Sequence, residues 1–178
     1  MNHFQVDNIL DTFSVICDTR EHVTPKAAER HKTFGVPYDK ATLKYGDYCG
    51  QIMLPGNKML YDISKPITAK CVIERKMSLD ELAACFTRDR ERFKREFERA
   101  KEAGAKVFLL VENASWEALY SHRYRSKLQP NAFIASITAW TVRYNITPVF
   151  CKASISGKVI KEFLYRDIKE RLEKGEYG

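Results

Sequence analysis

The chain has 178 residues, which at roughly 150 residues per domain is one domain, and its 44% hydrophobic and 30% charged residues suit a globular protein rather than a disordered one. Thirty Lys+Arg against 23 Asp+Glu give a net charge of +7 and a pI near 9.1, which favours an anionic partner such as nucleic acid. No apolar run approaches the ~20 residues of a membrane span and no signal peptide is visible, so no membrane is expected as a partner. The expected setting is the cytoplasm, of a prokaryote or a phage host, or the nucleus in a eukaryote.

In chain order, Phe13–Asp18 reads as a buried strand ending in an acid. Lys26–His31 reads as a helix that ends near Gly35, and Val36–Leu43 as a strand. Gly46-Asp47-Tyr48 turns the chain into a strand over Tyr48–Leu54, and Pro55-Gly56-Asn57 is a turn signal. From there to Ala69 a loop or irregular hairpin is expected. Cys71–Lys76 is a strand, apolar at its start and charged at its end. Ser78 and Glu81 form a capping box that opens one long helix to about Ala103, with Gly104 as its stop. Lys106–Glu112 is a strand, Ser115–Tyr120 a short helix, and Pro130 starts a helix to Tyr144. A strand over Ile146–Cys151 and a helix over Ser156–Glu173 finish the chain. This order predicts an α/β domain with a mixed sheet and helices on both faces. The cysteines Cys17, Cys49, Cys71, Cys85 and Cys151 contain no CxxC pair, so neither a zinc site nor a disulfide framework is expected.

Residues i and i+2 of a strand share a face, so Glu74 and Lys76 point together and Arg75 points away. If the strand that follows Asp47 pairs with theirs, Asp47 converges on Glu74, and Asp18 is a third acid within reach. Two carboxylates ~4 Å apart repel by about 4 kcal/mol at an effective dielectric of 20, so such a cluster needs a cation. Hard oxygen donors suit Mg²⁺ or Mn²⁺, and the matching chemistry is metal-assisted phosphodiester hydrolysis. Charged residues at strand ends are also common in ordinary surfaces, and spacing alone leaves that alternative open.

Gly46-Asp47, Glu74-Arg75-Lys76 and Asp80, preceded by Asp18-Thr19-Arg20-Glu21, occur in one order along the chain. Together with Thr42–Tyr48, Arg92-Phe93 with Arg99, and Pro130-Asn131-Ala132, they resemble the XPF/Hef-type structure-specific endonucleases of the PD-(D/E)xK superfamily. The resemblance spans about residues 13–172 and implies a restriction-endonuclease-like core in a single nuclease domain over 1–178. It implies Asp47 and Glu74 as metal ligands, with the Arg75 carbonyl beside them and Asp18 ligating through water or holding the site's polarity. Lys76 becomes the catalytic cation, and Arg20, Glu21 and Arg75 support the site or contact phosphate. Asp80 either fixes Lys76 or Arg75, or is an acid stabilised in a first helical turn. The stretch from Asp47 to Glu74 is long and is expected to form an extended hairpin near the site. A stand-alone form is expected, without the helix-hairpin-helix domain that commonly follows in the family.

DNA contacts are assigned to Lys44, to the helical stripe Arg88, Arg92, Arg95 and Arg99, and to Arg123 and Arg125 in the basic, aromatic run Tyr120–Lys127, with a solvated helix face and an ordinary exposed loop as the alternatives. The leading reading is a Mg²⁺- or Mn²⁺-dependent endonuclease for flapped, forked or branched DNA. A non-catalytic DNA-binding partner subunit, an exonuclease and a junction resolvase remain alternatives. A homodimer, or a partner that supplies DNA-binding domains, is also open. Ile134, Ile137 and Val142 with Ile160, Phe163 and Leu164 form either its apolar face or part of the domain's own core.

Overall fold

The computed structural model describes residues 3–21 and 24–177; Met1, Asn2, His22, Val23 and Gly178 lie outside them. Six strands form one mixed sheet in the order β2-β1-β3-β6-β7-β8. They are β1 (Ser14–Asp18), β2 (Tyr38–Ala41), β3 (Tyr48–Gln51), β6 (Cys71–Lys76), β7 (Lys106–Glu112) and β8 (Ile146–Cys151). A two-stranded ribbon, β4 (Met53–Leu54) with β5 (Lys58–Met59), follows β3. Strand β3 runs antiparallel to β1 and β6, while β6, β7 and β8 are parallel to one another. Pro148, which has no N–H to give, sits in β8 at the sheet's edge, where one side of the strand is unpaired.

Helices cover both faces. On one, α3 (Leu79–Phe86), α4 (Arg90–Glu102), α5 (Trp116–Tyr120) and α6 (Pro130–Tyr144) bury Leu82, Phe86, Phe93, Phe97 and Trp140 against Val72, Leu109 and Val111. On the other, α1 (His3–Leu10) and α7 (Ser156–Glu173) bury Val6, Ile160, Leu164 and Ile168 against Val15, Ile73 and Leu110. Helix α2 (Pro25–Lys32) starts on a Thr24 cap, whose side chain accepts from the Ala27 N–H, with Pro25 at its first turn.

Helix α1 has no counterpart in the sequence reading, although Val6, Ile9 and Leu10 carry the i, i+3, i+4 spacing of a buried helical face. The long helix expected over 78–103 is two helices. Thr87 leaves the helical region at φ −117°, ψ −99°, and its hydroxyl donates to the Ala83 carbonyl at 2.9 Å. Phe86 and Phe93 lie seven residues apart, two turns of an unbroken helix, so the apolar pattern cannot register the break. The expected strand 48–54 likewise stops at Gln51 and resumes in the ribbon. That ribbon leaves β3 at the end opposite Asp47, and none of residues 53–69 lines the functional cleft, so the hairpin expected near the site lies away from it.

Of the two readings offered for the late apolar residues, the domain's own core accounts for all but Val142. Ile137 is buried in the core on one side of the sheet, and Ile160 and Leu164 in the core on the other. They do not form one face, and Val142 alone of the six projects fully outward, at 85% exposed.

Gly46 positions the site. Its φ is +74°, and a Cβ there would lie 2.7 Å from the Val72 Cβ. Gly46→Ala is therefore expected to displace Asp47 from the end of β6. A chemical-denaturation midpoint and a cleavage assay should both fall; an unchanged pair would show that the turn tolerates a side chain.

Candidate active site

The site lies where β1, β6 and β7 end and β3 begins, the carboxyl edge of an open α/β sheet. The Asp47 N–H donates to the Ile73 carbonyl and its carbonyl accepts from the Asp18 N–H, each at 2.8 Å, which wedges Asp47 between the ends of β1 and β6. A cleft of about 880 Å³ opens there, with Asp47, Glu74, Arg75 and Lys76 on its floor and Arg92, Phe93 and Glu96 of α4 along one wall.

Glu74 is 4% exposed and Asp47 half-buried. As the strand alternation requires, Lys76 points with Glu74, and its Nζ donates to Glu74 Oε1. Lys76 Nζ also stands 5.0 Å from the Phe93 ring centroid. Burial opposes the charge on Lys76, but the Glu74 and Asp47 carboxylates outweigh it and hold its pKa above the ordinary lysine value. Burial and the neighbouring Glu74 charge push the Asp47 carboxyl up to about 7, against the pull of Lys76 and of the Arg75 amide. Burial raises Glu74 as well.

Asp47 Oδ2 accepts from the Arg75 N–H at 2.7 Å. Among the described residues, Asp47 Oδ1 and Glu74 Oε2 carry no hydrogen bond, and these are the oxygens a hard cation takes. The cleft is lined by six basic and seven acidic side chains, although the chain as a whole is strongly basic. A divalent cation fits this donor set, because two hard oxygens are free for it and its charge outweighs the formal excess of one acid.

Behind the floor lies a buried ion-pair network that the sequence reading found only in part. Arg30 of α2 donates through Nη1 to Glu21 Oε1 at 2.8 Å and through Nε to Glu112 Oε1 at 3.0 Å. Arg75, on the face away from Glu74, donates to Glu112 Oε2 at 3.2 Å and lies 3.7 Å from Glu21 Oε1. Tyr48 donates its hydroxyl to Glu21, and His31 Nε2 is 3.1 Å from Glu21 Oε2. Burial works against the Glu21 charge, but the His31 and Tyr48 hydrogen bonds and the arginines hold its pKa below the ordinary value. Glu112 ends a buried strand in the same way as Asp18, yet the sequence reading singled out Asp18 alone. Glu96 was likewise missed: it accepts from the Gly46 N–H at 3.3 Å and lies 3.9 Å from Arg20.

Not every expected residue faces the cleft. Asp18 is 1% exposed, and both of its oxygens are taken: Oδ1 by the Arg20 N–H and Nε, Oδ2 by Arg20 Nη2 and the Leu43 N–H. It clamps Arg20, which does line the cleft. Asp80 touches neither Lys76 nor Arg75; it accepts from the backbone N–H groups of Arg125 and Ser126. Glu81 completes the capping box one residue further back than expected, at the Met77 N–H. Arg92 lines the cleft, and Arg95 and Arg99 are exposed along α4, where Arg99 Nε donates to the Lys44 carbonyl at 3.3 Å. Arg88 falls in the break before α4, so it is not part of that helical stripe. Lys44, Arg123 and Arg125 are exposed.

The ERCC4 domain family model matches residues 17–163. The chain belongs to that family. Two structures of XPF from Aeropyrum pernix match at a TM-score of 0.58 each. One is 21% identical and is covered over 86% of this chain and 61% of its own; the other, a complex with DNA, is 22% identical and is covered over 89% and 66%. The mixed six-stranded sheet is thus the fold of an XPF-type nuclease domain, and this chain spans under two thirds of the length of those structures. No curated protein matches it. No helix among the described residues is long and apolar enough to cross a membrane.

Proposed function

We propose that this ERCC4 domain is a Mg²⁺- or Mn²⁺-dependent endonuclease that hydrolyses one phosphodiester of flapped, forked or otherwise branched DNA. The observation that carries this reading is the meeting of Asp47, Glu74 and Lys76 at one sheet edge, with one more carboxylate than ammonium. Asp47 Oδ1 and Glu74 Oε2 would hold the cation, which when bound supplies a water of lowered pKa and offsets charge on the phosphate. The protein's own groups do the positioning. Lys76, held above its ordinary pKa, stays protonated at neutral pH and is not a base. Its ammonium stabilises negative charge as it develops on the phosphate oxygens. Arg75 and Arg20 flank the floor as fixed cations, tethered by Glu112 and Asp18. Arg92, Arg95 and Arg99, with Lys44 beside them, form a ridge for the duplex backbone.

The test is end-labelled single-stranded, duplex, flap, fork and four-way-junction DNA with Mg²⁺, Mn²⁺ or EDTA, beside Asp47→Ala. Metal-dependent cutting that the variant lacks, strongest on a branched substrate, is the expected result. A folded protein that binds branched DNA and cuts none of these would be a binding subunit instead. Arg92→Ala with Arg95→Ala should weaken DNA binding and lower the slope of log K against log salt by about 1–2, since each phosphate contact contributes ~0.9. An unchanged slope would remove α4 from the DNA surface.

A further inference from the structure

Asp80 is the acid that closes the Glu74-Arg75-Lys76-x3-Asp80 spacing, yet it does not reach the catalytic cluster. Its Oδ1 accepts from the Arg125 N–H at 2.7 Å and the Ser126 N–H at 2.8 Å, and its Oδ2 lies 3.3 Å from Arg125 Nε. These backbone bonds and the Arg125 guanidinium hold its pKa below the ordinary value, against slight burial. One side chain at the start of α3 therefore fixes the middle of the segment 120–127.

That segment, Tyr120-Ser121-His122-Arg123-Tyr124-Arg125-Ser126-Lys127, carries three basic side chains and no acid. Its conformation is defined. His122 is left-handed at φ +51°, and its Nε2 bonds the Ser126 carbonyl at 3.0 Å. The His122 ring lies against Tyr124, at 4.4 Å between centroids, and the Tyr124 hydroxyl donates to the Leu128 carbonyl. Tyr120 is left 67% exposed, and the Arg125 side chain 92% exposed. The exposed Tyr120 beside the exposed Arg123 and Lys127 suits unpaired nucleic acid, whose bases stack while its phosphates pair with Arg and Lys.

We infer that Asp80 is a positioning residue that anchors the 120–127 loop as a grip for the unpaired strand of a branched DNA substrate. The inference rests on the nuclease reading above. Its reach is set by the chain: Asp80 is four residues from Lys76, so their Cα atoms are at most about 15 Å apart at ~3.8 Å per residue. The anchor therefore sits within a few nucleotides' length of Lys76. The loop binds the flap, and the acids cut next to it.

The test compares wild type with Asp80→Ala and with Arg123→Ala/Arg125→Ala, on a 5′ or 3′ single-stranded flap and on a plain duplex of the same sequence. Binding is read with EDTA present, and single-turnover cleavage with Mn²⁺. Both variants should weaken flap binding about 5- to 50-fold, leave duplex binding unchanged, and cleave at the wild-type rate once the flap is saturating. Hydrogen exchange at the Arg125 and Ser126 amides should speed up in Asp80→Ala. Should that variant fail to fold, the double arginine variant, whose side chains are exposed, tests the grip alone. Equal losses on flap and duplex, a lost maximal rate with binding intact, or no change in either variant would overturn the inference. Wild type that binds and cuts none of these DNAs would instead overturn the nuclease reading itself.

Discussion

Asp47→Asn is expected to abolish metal-dependent cleavage while raising the melting temperature of the metal-free protein at pH 8. The loss should be at least about 10²–10³-fold, the size seen when one preorganised electrostatic group is removed from a site. The gain in stability follows from the Asp47 carboxyl, which burial and the charge of Glu74 push up to about 7 from 3.8. Between those values the folded protein keeps a proton that the unfolded chain has released, so stability falls as pH rises from about 4 to about 7 and is level beyond. A bound cation would take the place of that proton. The rise in melting temperature on adding Mn²⁺ should accordingly grow across the same interval. Asparagine keeps an acceptor for the Arg75 N–H and removes the charge, so the pH slope and the Mn²⁺ effect should both shrink. Scanning calorimetry at pH 5 and pH 8, with and without Mn²⁺, checks this. A wild type that is no less stable at pH 8 than at pH 5 would show that Asp47 and Glu74 do not burden the empty cleft.

The floor of the cleft was legible in the sequence because a strand has a strict period. Glu74 and Lys76 share a face by alternation alone, and an apolar run that ends in charge marks the edge of a buried sheet. The network behind the floor was hidden because it joins residues far apart in the chain. Arg30 lies on a short polar helix that gives no sign of burial, and only the packed sheet places it between Glu21 and Glu112. Asp80 shows the same limit from the other side. Its residue type and spacing marked it as functional, but its hydrogen bonds lead to a loop 45 residues on, which no local pattern links to it. The break after Phe86 was invisible for a different reason: a spacing of seven fits an unbroken helix, and the Thr87 hydroxyl, not the apolar pattern, ends the first segment.

Arg30→Met should be the most destabilising single change in this network, by about 3–5 kcal/mol, because it removes the guanidinium that pairs with both buried carboxylates. Arg30 is 6% exposed, and its guanidinium lies between Glu21 and Glu112 while it also donates to the Tyr48 hydroxyl at 3.2 Å. With it gone, Arg75 alone is left to bridge the two acids, at 3.7 and 3.2 Å. At about 2–4 °C per kcal/mol for a chain of this size, the melting temperature should drop by roughly 6–20 °C. Arg30→Lys should recover little, since one ammonium cannot span two carboxylates as a planar fork does. Arg30→Met with Glu21→Gln should recover much of the loss, because one cation and one acid leave together while Arg75 keeps Glu112. Function should follow geometry here. Arg75 stands between Glu74 and Lys76 on β6, so freeing it from its partners shifts both, and a displacement of about 1 Å can cost about 10²-fold in rate. Urea denaturation and single-turnover cleavage of the set separate the two effects. A double variant that regains stability but not activity would show that the network serves to aim β6. A loss under 1 kcal/mol for Arg30→Met would mean that water, rather than Arg30, satisfies Glu21 and Glu112.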